Sequence, residues 1–197
     1  MLDGLYAQRM NRVWDYLARG LARSGLSPNA ITAIGLVLVA AGAAAYPFHR
    51  NSLVFGVWIA LAFSFDALDG AVARLTGRSS KFGGYLDAVV DRYQELAVLA
   101  AIGWVHDAWP HALLVVSGSF LTSYNKARAA MEIPIDNGDW PDLVERLERI
   151  LFVCALLVIG YWAPVVVPWG LVALGVLAHV TAVQRFFRAR SRIAGDG

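Results

Sequence analysis

Residues 64–95 read SFDALDGAVARLTGRSSKFGGYLDAVVDRYQE, with aspartates at 66, 69, 87 and 91. On both sides of this stretch the chain is strongly apolar. Of its 197 residues 58% are hydrophobic and 16% charged, and its mean hydropathy is +0.53. A soluble domain of this size rarely has that composition, and the apolar runs are too long for barrel strands. The predicted class is therefore an all-α integral membrane protein with six transmembrane helices. The runs lie near 30–46, 52–74, 84–105, 111–131, 143–162 and 165–187, each close to the ~20 residues needed to span a bilayer. Turn signals separate them: Pro47 with His49, Arg50 and Asn51; Gly77 to Ser80; Asp107 to Pro110; Asn137 to Pro141; and Pro164 to Pro168. The single cysteine, Cys154, excludes an internal disulfide.

Residues 1–28 differ from the rest. Leu5, Val13, Trp14, Leu17 and Leu21 recur at helical spacing, interleaved with Arg9, Arg12, Arg19 and Arg23. The pattern predicts an amphipathic helix lying at the membrane interface, or one packed on the protein. There is no apolar signal core, so no cleaved signal peptide is expected. Residues 29–190 would form the membrane domain, and 191–197 a polar tail. With a cytoplasmic N-terminus, only Arg50 of the 17 basic residues falls on the outer side. The positive-inside rule then places both termini in the cytoplasm.

A charged residue at mid-bilayer costs about 2.5–3.5 kcal/mol, so four acids facing lipid would be prohibitive. Asp66 and Asp69 are spaced i, i+3, and Asp87 and Asp91 i, i+4, so each pair shares a helix face. The pairs end the second predicted span and begin the third, and the two faces can meet. Pooled carboxylates need cations, and hard oxygen ligands suit Mg²⁺ or Mn²⁺. Four carboxylates suit two ions, and paired ions suit phosphoryl chemistry. Gly70, Gly83 and Gly84 leave room for a ligand beside the acids. Helix capping and pairing with Arg74, Arg78 or Lys81 would account for one or two acids only. Arg92 and Glu95 are expected to support the motif by pairing.

The pattern Asp66-x-x-Asp69-Gly70-x-x-Ala73-Arg74, eight residues, then Gly83-x-x-x-Asp87-x-x-x-Asp91 resembles the signature of the CDP-alcohol phosphotransferase (phosphatidyltransferase) family. That resemblance implies a six-helix membrane enzyme, commonly a homodimer, that joins a CDP-activated lipid to an alcohol and releases CMP. It implies that Asp66, Asp69, Asp87 and Asp91 ligate metal and that Asp91 is the base. It implies that Gly70, Ala73, Arg74, Ser80 and Gly83 hold the CDP-lipid. Asn29, Ala30, Ile31 and Thr32 resemble the family's helix entry that touches the CDP part. Asn29 is also a good helix N-cap on its own account.

Lys126, Arg128, Arg146, Arg149 and Arg185 would bind a phosphorylated acceptor, since guanidinium groups recognise phosphate bidentately. Positive-inside bias with a local Glu145–Arg149 pair is the simpler account of the same cations. The words SYNKARA, ERLER and AVQR resemble the branch that makes phosphatidylinositol phosphate or archaetidylinositol phosphate from inositol 1-phosphate. Asp136, Asp139 and Asp142 depart from the glycine-rich loop expected there. Glycerol 3-phosphate is the alternative acceptor. A small cation carrier and a structural scaffold are the readings from other classes. The expected partners are a CDP-linked lipid, a phosphorylated polar alcohol, membrane lipids and a second copy of the chain, with no nucleic acid.

Overall fold

The computed structural model describes residues 18–133 and 143–195. Most of the predicted N-terminal helix, the acidic loop with Asp136, Asp139 and Asp142, and the Asp66 side chain lie outside what is described. Helical residues 18–23 precede six long helices: α1 (Pro28–His49), α2 (Ser52–Thr76), α3 (Lys81–Val105), α4 (Trp109–Ala129), α5 (Arg146–Gly160) and α6 (Val166–Gly195). No strand occurs among the described residues. Among the described residues, three helices, α1, α2 and α6, are long and apolar enough to cross a membrane.

Local chemistry sets the helix ends. Ser27, not Asn29, caps α1: the Ala30 amide donates to Ser27 Oγ at 3.2 Å, and Pro28 takes the first helical position, where its missing N–H is harmless. Asn29 is freed for another role. Pro47 lies inside α1 rather than beyond it; the stop comes at Arg50, whose φ is 51°. Asn51 then caps α2 by accepting from the Val54 amide at 3.1 Å. At the far end of α2, Gly77 (φ 65°) closes a Schellman turn: Arg78 N–H bonds Ala73 O at 3.0 Å and Gly77 N–H bonds Arg74 O at 3.4 Å. Ser80 caps α3 by accepting from the Gly83 amide at 2.9 Å. Helix α6 runs through Gly195, so the expected polar tail is largely helical.

The chain divides into two compact units, with α1, α2 and α3 contributing to both. In the first (Met1–Gly42 and Trp58–Gln94), Ala18, Ile31, Leu68, Ala71 and Val72 form a buried cluster, with Leu21, Ala22, Leu26 and Phe65 packed against it. The described end of the N-terminal segment thus packs on protein. Trp58 Nε1 donates to Leu38 O at 2.8 Å; a Cβ on Gly42 would collide with that indole.

In the second unit (Ala43–Val57 and Glu95–Gly197), α4 and α6 meet closely. A Cβ on Gly118 would come within 2.9 Å of Ala178 Cβ. Polar contacts lace this seam: Ser117 Oγ with His179 Nε2 at 3.2 Å, Thr122 Oγ1 to Ala178 O at 3.1 Å and Asn125 Nδ2 to Ala182 O at 2.9 Å. Elsewhere Tyr46 stacks on Phe55, and its hydroxyl meets Ser52 Oγ and His106 Nε2, each at 2.8 Å. Burial pushes the His106 imidazole below its ordinary value. Cys154 is buried and unbridged.

Candidate functional site

The first unit holds a cavity of about 220 Å³ built from the start of α1, the end of α2 and the start of α3. Its carboxylates are Asp69 and Asp87, and its guanidinium residues are Arg74 and Arg78. Asn29 and Thr32 reach it from α1, and Gly70 and Ala73 from α2. Ser80, Gly83 and Gly84 complete it from α3 and its cap.

Most of the residues read from the sequence as a CDP-lipid site therefore share one cavity. Asn29 and Thr32 line it. Ile31, one position before Thr32, is instead fully buried in the first unit's apolar cluster, and Ala30 is not on the cavity wall. Pro28, Arg78, Ser79 and Gly84 also line it. Arg78 and Ser79 sit in the α2–α3 turn, where no helical periodicity marks a facing direction. The signal was the turn itself: so short a link forces its side chains beside the ends of both helices.

Asp69 is buried, at 8% exposure, and accepts a hydrogen bond from Thr32 Oγ1. Thr32 thus fixes the orientation of one carboxylate as well as lining the cavity. Asp91, one helical turn past Asp87, is also 8% exposed, and Arg92 Nη2 lies 3.5 Å from its Oδ2. Asp91 is not among the cavity's lining residues.

A divalent ion fits this donor set on two grounds. Two carboxylates share a cavity with two arginines, the pairing that a cation beside a phosphate ester requires. Gly83 also leaves a space that a side chain would fill: a Cβ there would lie 3.1 Å from Ser80 Oγ and 3.3 Å from Asn29 Oδ1. Among the described residues, no three His, Cys, Asp or Glu side chains stand together as a metal-holding group. The Asp66 side chain is not among them.

The five cations read as acceptor ligands all belong to the second unit and stand in different surroundings. Arg149 is 3% exposed. Its Nε donates to Glu95 Oε1 at 2.9 Å, so the partner is a distant acid and not Glu145. Arg185 Nη1 donates to Thr122 O at 2.6 Å. Arg128 pairs with Glu132 at 2.6 Å in a half-exposed i, i+4 bridge. Lys126 and Arg146 are half-buried near the end of α4 and at the start of α5.

Comparison with known proteins agrees with this geometry. Residues 26–184 match the family model "CDP-alcohol phosphatidyltransferase". The archaetidylinositol phosphate synthase of Pyrococcus horikoshii is 33% identical over 183 residues, covering 91% of this chain and 92% of that one. The phosphatidylinositol phosphate synthase of Mycobacterium marinum is 37% identical over 190 residues, covering 89% and 79%. The crystal structure of the Mycobacterium tuberculosis phosphatidylinositol phosphate synthase with CDP-DAG bound superposes with a TM-score of 0.79 at 30% identity, covering 90% of this chain and 94% of that one. A second structure of that synthase is in complex with manganese and citrate, with a TM-score of 0.78 at 30% identity, covering 89% of this chain and 88% of that one. A match of this length, with relatives this similar over nearly their whole sequences, settles the assignment: the chain belongs to the CDP-alcohol phosphatidyltransferase family and is a transferase of phospholipid synthesis.

Proposed function

We propose that the protein transfers the phosphatidyl-type group of a CDP-linked lipid to a hydroxyl of inositol 1-phosphate and releases CMP. The observation that carries this reading is the cavity in which Asp69 and Asp87 stand with Arg74 and Arg78. Its contents suit a nucleotide-linked pyrophosphate, and relatives named as inositol phosphate lipid synthases point to the acceptor. The acceptor oxygen attacks the phosphorus that bears the lipid, and the bond from that phosphorus to the CMP oxygen breaks. Asp91 takes the hydroxyl proton; beside cations a carboxylate is a weak base, so it acts by position. Arg74 and Arg78 orient the phosphates, while Asn29, Thr32 and Ser80 offer hydrogen bonds to the nucleotide. Two Mg²⁺ or Mn²⁺ ions held by Asp66, Asp69, Asp87 and Asp91 would offset the pyrophosphate's charge and ease departure of CMP.

Lys126, Arg128, Arg146 and Arg185 receive the acceptor's phosphate. The proposed topology is six spans, with both termini and the cavity at the cytoplasmic face and a homodimeric assembly. Helix α5 is the shortest span at 15 residues, about 22 Å of helix. The aromatic pair Tyr161–Trp162 at its end suits a membrane interface. The family match speaks against the carrier and scaffold readings. The test is incubation of purified protein with CDP-diacylglycerol, Mg²⁺ and a panel of acceptors, followed by mass analysis of the lipid product. Product with inositol 1-phosphate is expected. Product with glycerol 3-phosphate or free inositol alone would refute the acceptor.

A further inference from the structure

We infer that Arg149 is a positioning residue for the phosphorylated acceptor and not one of its ligands, and that Glu95 and Ser119 are its working partners. The inference rests on the proposed function and concerns how the acceptor's cations are held. Every nitrogen of the Arg149 guanidinium is engaged. Nε meets Glu95 Oε1 at 2.9 Å, Nη2 meets Glu95 Oε2 at 3.5 Å, and Nη1 meets Val144 O at 3.4 Å. Ser119 Oγ donates to the same carboxylate at 2.6 Å. All three side chains are buried, with Arg149 at 3%, Ser119 at 0% and Glu95 at 9% exposure. Reaching a ligand would strip Glu95 of its counter-ion and leave a buried carboxylate with only the Ser119 hydroxyl.

The positions of the three residues say what they hold. Arg149 lies three residues after Arg146 on α5, so the two share a helix face. Ser119 lies two turns before Lys126 on one face of α4. One turn on from Ser119, Thr122 O accepts from Arg185 of α6 at 2.6 Å. Glu95 is one turn past Asp91 on α3. The buried carboxylate therefore ties α4 to α5, the helices carrying Lys126 and Arg146, and does so from the helix that carries the base. Because Glu95 cancels its charge, Arg149 adds no net attraction for an anion. Its contribution is the fixed rotation and depth of the first turns of α5.

The test compares Arg149→Met, Glu95→Gln and the double variant Glu95→Gln/Arg149→Met with the parent, using inositol 1-phosphate and glycerol 3-phosphate as acceptors. Each single variant should raise the acceptor KM about tenfold or more, while the CDP-diacylglycerol KM stays within about twofold. The double variant contains no unpaired buried charge, and the side-chain amide it places on α3 still bonds Ser119. It should recover the acceptor KM to within about threefold of the parent. A double variant as impaired as Arg149→Met would make Arg149 a direct ligand and overturn the inference. So would equal losses for both substrates that follow the thermal midpoint, the pattern of a merely structural pair. Parent turnover with glycerol 3-phosphate only would refute the proposed acceptor, yet the same variant ratios would still decide the role of Arg149. A parent that uses only an unphosphorylated alcohol would overturn both.

Discussion

The cavity of the first unit and the Glu95–Arg149 pair of the second bring together the same two chemistries, carboxylate and guanidinium, on helices of apolar composition. They treat them in opposite ways. At the cavity, Asp69 and Asp87 share space with Arg74 and Arg78 around an opening, and Gly83 keeps a side chain out of it. In the second unit Glu95 and Arg149 bond one another, with Ser119 and Val144 O completing the set. An arrangement that leaves volume beside its charges suits a charged guest. One that closes on itself suits holding helices in register. Charged residue type alone does not separate these uses; the space beside the charge does.

Substitution should separate them too. The largest effect is expected at Asp91, where Asn keeps the shape and removes the proposed base. Turnover should fall by about 10²–10⁴-fold, while the thermal midpoint in detergent stays near the parent's. Full activity would remove Asp91 from the chemistry. In the second unit the order of effects reverses. Glu95→Ala leaves the Arg149 guanidinium buried without its counter-ion and should cost about 3–5 kcal/mol of stability, seen as a lowered unfolding midpoint. An unchanged midpoint would mean that the pair does not hold the helices.

A smaller effect is expected where the cavity borrows the second unit's device. Thr32→Val removes the hydroxyl that orients Asp69. A hydrogen bond to a charged group contributes about 1.5–3 kcal/mol, so kcat/KM for the CDP-lipid should fall about 10- to 100-fold, with little change in acceptor KM. Equal loss toward both substrates would show that Thr32 acts on general packing instead.

The smallest effect involves His106, far along the chain from the cavity residues. Burial lowers its proton affinity from the ordinary 6.5, so the folded protein holds it neutral against Tyr46. Below that value the unfolded chain takes up the proton more readily than the folded one. Stability should therefore be intact above pH 6.5 and decline as pH falls through it, by no more than about 1.4 kcal/mol down to pH 5.5. His106→Gln should abolish the slope, as read by unfolding midpoints across pH.

Much of this was legible in the sequence because membrane-length apolar runs and same-face acids are local patterns. Five of the six predicted runs match a helix to within about three residues at both ends; the sixth continues well past its expected end, to Gly195. The aspartate pairs led to Asp69 and Asp87 in one cavity. What escaped depended on competition or distance. Asn29 reads as a cap, but Ser27 has the better place because Pro28 begins the helix beside it. Arg78 and Ser79 join the cavity through the geometry of a short turn that no periodicity reports. Arg149 has Glu145 four residues away as its local candidate partner. Its partner lies 54 residues away in the chain, a separation over which spacing carries no information.

The most direct test of the central claim, that the aspartates of α2 and α3 hold divalent ions beside a CDP nucleotide, is a Mn²⁺ titration followed by electron paramagnetic resonance with CDP-diacylglycerol present. Two tightly bound Mn²⁺ per chain are expected in the parent, and their loss in Asp87→Asn, with the fold intact. Equal Mn²⁺ binding in parent and variant, or none in either, would contradict it.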